Sequence, residues 1–463
     1  MNSTANLFIE KGAEKAFDQP HRSRLEFNIG KYDQAVALGK SHYRDLELAK
    51  RRAANLKAKV INKLDTHLLE FQKNFEKRGG KVIWANNSRD AQKEILQIIR
   101  KAKARVIVKQ KTMVSEELEI NELLEKNKRE VFETDLGEYI VQLEGEKPYH
   151  IVTPAMHKSK EDISELFHKK FNLPENSPPE SITEFVREIL RTEFVRADVG
   201  ITGANFLLAD PGAVALTENE GNGILSFAFP KIHIVVAGIE KLIPSLEDLD
   251  LFYPLLSAFG TGQRLTVYNN VVFGPRKPEE PDGAEEMYVI LLDNRRTEIL
   301  TYTEQRKALS CIRCGACLNG CPVYKSIGGH TYGTAYTGPI GSVISPHLLG
   351  IKEYNHLSFA SSLCGKCAEV CPMKIPLHEL LLFNRKEAVS RKYTTLSWRM
   401  MVKGWKYIML HRWALDKPGA FLKNRMIRQF GHKGWGKKRS LPTIAHKSFR
   451  ELWTESREKS LDS

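Results

Sequence analysis

CIRCGACLNGCPVY (311–324) and SLCGKCAEVCPMKIP (362–376) hold all seven cysteines of a 463-residue chain: Cys311, Cys314, Cys317 and Cys321 before Pro322, then Cys364, Cys367 and Cys371 before Pro372. The first run has the C-x2-C-x2-C-x3-C-P spacing of bacterial iron–sulfur ligation, in which three thiolates hold one cubane cluster and the fourth crosses to a second. Read backward from Pro372, the second run follows the same pattern, with Ser361 standing where an eighth cysteine belongs. The crossover rule gives Cys311, Cys314, Cys317 and Cys371 to one cluster and Cys321, Cys364 and Cys367 to the other. Both are expected as [4Fe–4S]. The second cluster either keeps its fourth iron on a non-cysteine ligand (Ser361, His356, water or a partner's side chain) or lacks that iron as a [3Fe–4S] cluster. Zinc ribbons use separate C-x2-C pairs, which disfavours zinc. The implied chemistry is one-electron transfer.

Gly315, Ala316, Gly365 and Ala368 between the ligands leave room for backbone amides to approach the sulfurs, and such hydrogen bonds help set a cluster's potential. The segment 328–350, GGHTYGTAYTGPIGSVISPHLLG, separates the two runs and offers a shield or a docking face. His330, His347 and His356 are weaker ligand candidates, since lone histidines in such segments are mostly structural.

Working outward, the length predicts more than one core. Composition is that of an ordinary globular chain, 42% hydrophobic and 27% charged. MNSTANLFIEKGAEKAF has no basic n-region ahead of an apolar stretch, so no signal peptide is expected. The most apolar segment, ILSFAFPKIHIVVAGI (224–239), is interrupted by Pro230, Lys231 and His233, and no membrane span is expected. Clustered cysteines without an export signal point to a reducing compartment, the cytoplasm. The net charge of +14 sits in the tail: from Arg391 onward 18 Lys and Arg face 5 Asp and Glu, a net +13, which leaves residues 1–390 near +1.

Four segments follow from texture. Residues 1–78 read as an N-terminal helical arm, with Leu56, Val60, Ile61, Leu64, Leu68 and Phe71 on the packed face of one helix ending at Gly79-Gly80. Residues 79–301 alternate strand and helix, as an α/β domain on a largely parallel sheet. Strands are expected at KVIWA (81–85), RVIVKQ (105–110), REVFET (129–134), YIVQLE (139–144), HIVTP (150–154), PKIHIVVAGI (230–239), RLTVYNNVV (264–272) and EMYVILLDN (286–294). Ser88 and Ser115 are read as helix caps. Residues 302–390 form the helical, ferredoxin-type two-cluster domain, and 391–463 a basic helical tail.

Within the α/β domain, VGITGANFLLADPGAVALTENEGNG (199–223) reads as glycine-bounded turns able to cradle a polar ligand. Glu218 is its weak catalytic candidate, a nucleophile toward an activated acyl group or simply a turn carboxylate. GTGQRL (260–265) and GNGILS (221–226) lack the glycines of a dinucleotide fingerprint, so no nucleotide cofactor is expected. The tail carries Trp398, Trp405, Trp413, Trp435 and Trp453. Trp398, Met401, Trp405, Ile408 and Met409 share one face of a basic amphipathic helix, suited to packing on the cluster domain, to an acidic partner or to an anionic membrane surface. Nucleic acid is disfavoured, because no recognition motif accompanies the charge.

The order of VGITGANFLLADPGAVALTENEGNG, CIRCGACLNGCPVY, YGTAYTGPIGSVISPHL and SLCGKCAEVCPMKIP resembles the lactate utilization protein B family, the iron–sulfur protein of bacterial lactate utilisation, over essentially the whole chain. The resemblance implies an α/β domain related to the CoA-transferase and ribose-phosphate-isomerase group. It also implies the same two cysteine sets, seven cysteines being the family's usual number. It implies an electron-transfer subunit acting with two sister proteins in oxidising L-lactate to pyruvate, passing electrons toward a membrane-associated acceptor, from the cytoplasm or the inner membrane face. The alternative is an enzyme whose own α/β domain converts a small substrate near Glu218, with the clusters as redox sink.

Overall fold

Strand β7 (Ile232–Gly238) is buried along its whole length. Ile234 and Val236 pack into one core while Val235 and Ala237 pack into another. Side chains alternate along a strand, so burial on both faces demands helices on both sides. A computed structural model describes residues 3–417, 419–435 and 440–461, which divide into two units, Met1–Arg391 and Lys392–Ser463.

In the first unit, β7 lies inside a six-stranded sheet of order β1 (Lys81–Ala85), β10 (Glu286–Leu292), β7, β4 (Val199–Thr202), β2 (Val106–Lys109) and β3 (Glu130–Glu133), parallel throughout. One face is covered by Ile95 and Ile99 of the helix Ser88–Lys101, the other by Leu68, Phe71 and Phe75 of the helix Leu64–Lys77. Each such side chain stabilises the fold by about 1.5–3 kcal/mol when fully buried. A second sheet has the order β8 (Leu242–Ile243), β5 (Phe206–Leu208), β6 (Ala213–Glu218) and β9 (Tyr268–Val272). Its β5–β6 and β6–β9 pairs are antiparallel and its β5–β8 pair parallel. One 3-10 turn, Ile239–Lys241, joins β7 to β8 and so links the sheets.

The segment 199–223, expected as turns, therefore contributes three strands. YIVQLE is helical, within Leu136–Glu144, because the Asp135 carboxylate accepts from the Glu138 amide at the start and Gly145 takes a left-handed conformation at the end. HIVTP is irregular: the His150 ring nitrogen Nδ1 accepts from the amides of Val152 and Thr153 and folds the chain back on itself. The helix cap assigned to Ser88 is Asn87, which accepts from Asp90. Ser115 lies inside the helix Met113–Glu117, its hydroxyl donating to the Thr112 carbonyl. The long N-terminal helix breaks at Lys63 into Leu46–Asn62 and Leu64–Lys77.

The N-terminal helices reach beyond the adjacent domain. Ser3–Ala16 and Gln19–Ser41 both contact the helix Pro322–Ile327 that follows Cys321, and Leu46–Asn62 contacts Gln305–Ser310. Tyr32 donates to the Phe259 carbonyl at 2.6 Å. At Gly39 the crossing leaves no room for a side chain, since a Cβ there would lie 2.6 Å from the Gly262 carbonyl oxygen. The segment 328–350 is interior rather than a surface flap, and nearly every residue of its helix Gly338–Leu349 is buried.

In the second unit, Leu396–Leu410 is helical and has no buried residue, with Trp405 60% exposed beside exposed Met401, Ile408 and Met409. Trp413 and Trp453 are also exposed, and the Trp435 side chain lies outside the described residues. Among the described residues no helix is long and apolar enough to cross a membrane.

Candidate functional site

Two short pieces of chain carry the cysteines, and their backbones repeat each other. Arg313 and Leu363 both have positive φ, +63° and +55°, and Gly315 and Gly365 follow at +78° and +80°. Each glycine opens a single helical turn, Ala316–Asn319 and Lys366–Glu369. A residue with a Cβ is strained at these angles, and glycine is not. The repeat extends to Ser361. The Arg313 amide donates to Cys311 Sγ at 3.4 Å, and the Leu363 amide donates to Ser361 Oγ at 3.1 Å. Arg385 holds that loop by donating to the carbonyls of Ser358 and Ser361.

All seven cysteines are free thiols. Their mutual influence sorts them. Burial pushes the Cys317 thiol well up, and Cys311, Cys314 and Cys371 push it further. Cys314 is raised by burial and then by Cys311 and Cys371. Cys371 is pushed up to about 12 by burial and then by Cys311. On the other side, burial raises Cys321 and then Cys364 does so, while Cys367 is pushed up to about 11 by burial and then by Cys321 and Cys364. Cys311, Cys314, Cys317 and Cys371 thus influence one another, as do Cys321, Cys364 and Cys367.

Backbone amides oppose the rise in both sets: Ala316 at Cys314, Ile340 at Cys317, Met373 and Ile375 at Cys371, Val323 and Tyr324 at Cys321, Ala368 at Cys367. The first set is also ringed by cations. Lys57, Lys241 and Arg313 act on Cys311, Lys40 on Cys314 and Lys50 on Cys371. Burial holds Lys57 down at about 7, with Glu240 pulling the other way. Lys325 acts on Cys321 in the second set.

This donor set fits an iron–sulfur cluster: grouped thiols, five of the seven buried, met by amide donors and cations suit a polynuclear anionic group. Among the described residues no three sulfurs come within 4.8 Å of one another, whereas thiolates on one tetrahedral zinc at 2.3 Å would sit about 3.8 Å apart. The candidate histidines are engaged elsewhere. His347 Nε2 lies 2.9 Å from Asn384 Oδ1, His330 Nε2 2.6 Å from the Lys147 carbonyl, and His356 Nδ1 3.2 Å from the Glu353 carbonyl.

A cleft of about 370 Å³ adjoins the first set. Its floor comes from the carboxyl ends of parallel strands, Gln110 and Lys111 after β2, Asp135 after β3, Gly203 after β4 and Lys241 after β7; ligands of α/β sheets sit at such ends. Glu218 at the end of β6 forms one wall, and Arg313, Cys314 and Tyr336 of the cysteine segment another. Both Glu218 oxygens are taken: Oε2 accepts from the Gly223 amide at 2.7 Å and from Gln110 at 3.1 Å, and Oε1 accepts from the Ile224 amide at 3.0 Å. Burial raises its pKa against the pull of those amides. The carboxylate closes the turn before the helix Asn222–Ala228.

The sequence matches the LUD domain family over residues 68–292 and the 4Fe-4S dicluster domain family over 307–375. It is 42% identical to lactate utilization protein B of Bacillus velezensis, with 88% of each chain covered. The chain belongs to the lactate utilization protein B family. The corresponding protein of Oceanobacillus iheyensis is 38% identical with 96% of this chain and 95% of its own covered, and that of Bacillus subtilis 42% identical with 87% and 86% covered. Membership carries a role in lactate utilization and an iron–sulfur cofactor. In this member of the lactate utilization protein B family, the LUD cleft and the dicluster segment share a wall at Arg313 and Cys314.

Proposed function

We propose that this chain is the iron–sulfur electron-transfer subunit of a system that oxidises L-lactate to pyruvate. The observation that carries the reading is the division of seven thiols into four and three within a repeated, amide-lined backbone. Cys311, Cys314, Cys317 and Cys371 would hold one [4Fe–4S] cluster, and Cys321, Cys364 and Cys367 a second. Ser361 Oγ is its fourth ligand in this reading, because it takes the Leu363 amide as Cys311 Sγ takes that of Arg313. When bound, the clusters supply one-electron transfer, and two of them match the two electrons each lactate releases. Sister lactate-utilisation proteins would deliver those electrons and a membrane-associated acceptor would take them, with the chain in the cytoplasm at the inner membrane face. The LUD domain is taken as a relative of the CoA-transferase and ribose-phosphate-isomerase folds.

Anaerobically prepared protein should show no loss of cluster absorbance with L-lactate alone and bleaching once the sister proteins are added. Bleaching by lactate without them would favour the second reading, an enzyme using its own α/β domain. The cleft lined by both Glu218 and Cys314 speaks for that alternative.

Ser361 has its own test. Ser361→Ala should lower iron from about eight to about seven per chain and bring up a three-iron paramagnetic signal, while Ser361→Cys should keep the full count. A full count with no such signal in Ser361→Ala removes Ser361 from the ligand set.

A further inference from the structure

Two cations on the cleft wall have unmet donors. The Arg313 side chain is 8% exposed; its Nη2 donates to Glu240 Oε1 at 3.2 Å, but its Nη1 has no hydrogen-bond partner among the described residues. Lys241 Nζ makes no hydrogen bond or close ion pair among the described residues, and it lies within electrostatic reach of Arg313, Glu240 and Cys311. A buried donor left unmet costs about 1–3 kcal/mol, and more when charged. Of the other charged lining groups, Lys111, Asp135 and Glu218 are paired, while Glu220 faces Asp135, and burial together with that carboxylate raises it to about 7. Lys111 donates to Asp135 at 2.9 Å and to the Val152 carbonyl at 3.0 Å, and Asp135 also accepts from the Glu138 amide. Glu218 is taken by two amides and Gln110. The unmet hydrogen-bond donors are cationic and lie at the end of the cleft where Cys314 and Tyr336 form the wall. Polar groups without charge, Asn205, Thr217, Thr261 and Thr266, line other parts of the cleft.

A volume near 370 Å³ is at the small end of ligand sites, suited to a small organic acid with water rather than to a nucleotide. We propose that the cleft binds a small carboxylate of the 2-hydroxy- or 2-oxo-acid class, its carboxylate between Lys241 Nζ and Arg313 Nη1, beside the first cysteine set. The acid class rests on the lactate reading above; the preference for an anion rests on the two unmet cations. The competing account is that both cations serve only as counter-charge to a cluster, as Lys40, Lys50 and Lys57 would.

Calorimetric titration of the cluster-loaded full chain with L-lactate, pyruvate and neutral lactamide separates the two. Lactate and pyruvate should bind, and lactamide about tenfold more weakly or less tightly still. Lys241→Met should weaken lactate about 10- to 100-fold, the effect of losing a charged hydrogen bond, while Lys241→Arg keeps most of the affinity. Lactate should also shift the paramagnetic spectrum of one cluster and leave the other alone. Equal binding of lactate and lactamide by the unaltered protein, unchanged affinity in Lys241→Met with its iron intact, or no heat from either acid at millimolar concentration overturns the proposal. None of these outcomes bears on the electron-transfer reading, which depends on bleaching with the sister proteins.

Discussion

Cys371→Ala is expected to abolish one cluster and spare the other, cutting iron by about half, even though Cys371 lies in the second cysteine run. Its thiol is raised by burial and then by Cys311, and it sits between the Met373 and Ile375 amides with Lys50 nearby. Cys364 and Cys367, closer in sequence, are linked instead to Cys321. On the proposed ligand sets, Cys371→Ala and Cys314→Ala should leave the same residual paramagnetic spectrum, and Cys367→Ala the complementary one. Cys314, Cys317 and Cys371 share one core with Cys321 and Cys367 of the second set. Loss of the first cluster should still lower thermal stability more than loss of the second, because the second set's Cys364 is exposed. Matching spectra for Cys371→Ala and Cys367→Ala would sink the crossover assignment.

The central strands were legible because burial on both faces leaves continuous apolar runs, as in IHIVVAG (232–238) and EMYVILL (286–292). Strands β4 to β6 were hidden. Gly200, Gly203 and Gly212 look like turn residues, and strands of three to six residues gain their identity from pairing partners distant in sequence. At YIVQLE the apolar pattern fits strand and helix alike, and the deciding marks stood outside it, in Asp135 and Gly145. The parallel-sheet α/β core and the dicluster segment could be read from strand texture and cysteine spacing. The cleft wall could not, because Lys241, Arg313 and Glu240 come together only where the sheets and the cysteine segment meet. Nothing local in RCG or EKL marks those residues as neighbours.

Arg296→Leu is expected to be the most damaging single change to stability away from the cysteines, costing about 3–5 kcal/mol, the usual penalty for leaving one half of a buried ion pair behind. Arg296 is 1% exposed and sits just after β10. It donates to both oxygens of Glu117, at 2.9 and 2.8 Å, and through Nε to Glu240 at 2.6 Å. Glu240 retains Arg313, but Glu117 would keep only the neutral donors Asn294 and Tyr336. Burial pushes both carboxyls up; Arg296 outweighs it at Glu117, and Arg296 with Arg313 and Lys241 outweighs it at Glu240, leaving Glu117 lowered and Glu240 at about 2. In the native protein this stabilisation is present above the carboxyls' unfolded pKa and is lost as pH falls through the folded value. Without Arg296, burial acts on Glu117 alone, so ionisation itself becomes costly and the deficit should widen as pH rises above about 5 and shrink below it. Glu117→Gln should recover part of the loss in the Arg296→Leu background, since it removes the stranded charge, and urea denaturation of the four proteins in that cycle measures the coupling. A single variant within about 1 kcal/mol of the native protein would mean that water or a rearranged Arg313 satisfies Glu117. In that case the seam joining the ends of β2, β7 and β10 to the cysteine segment would be held by its apolar contacts instead.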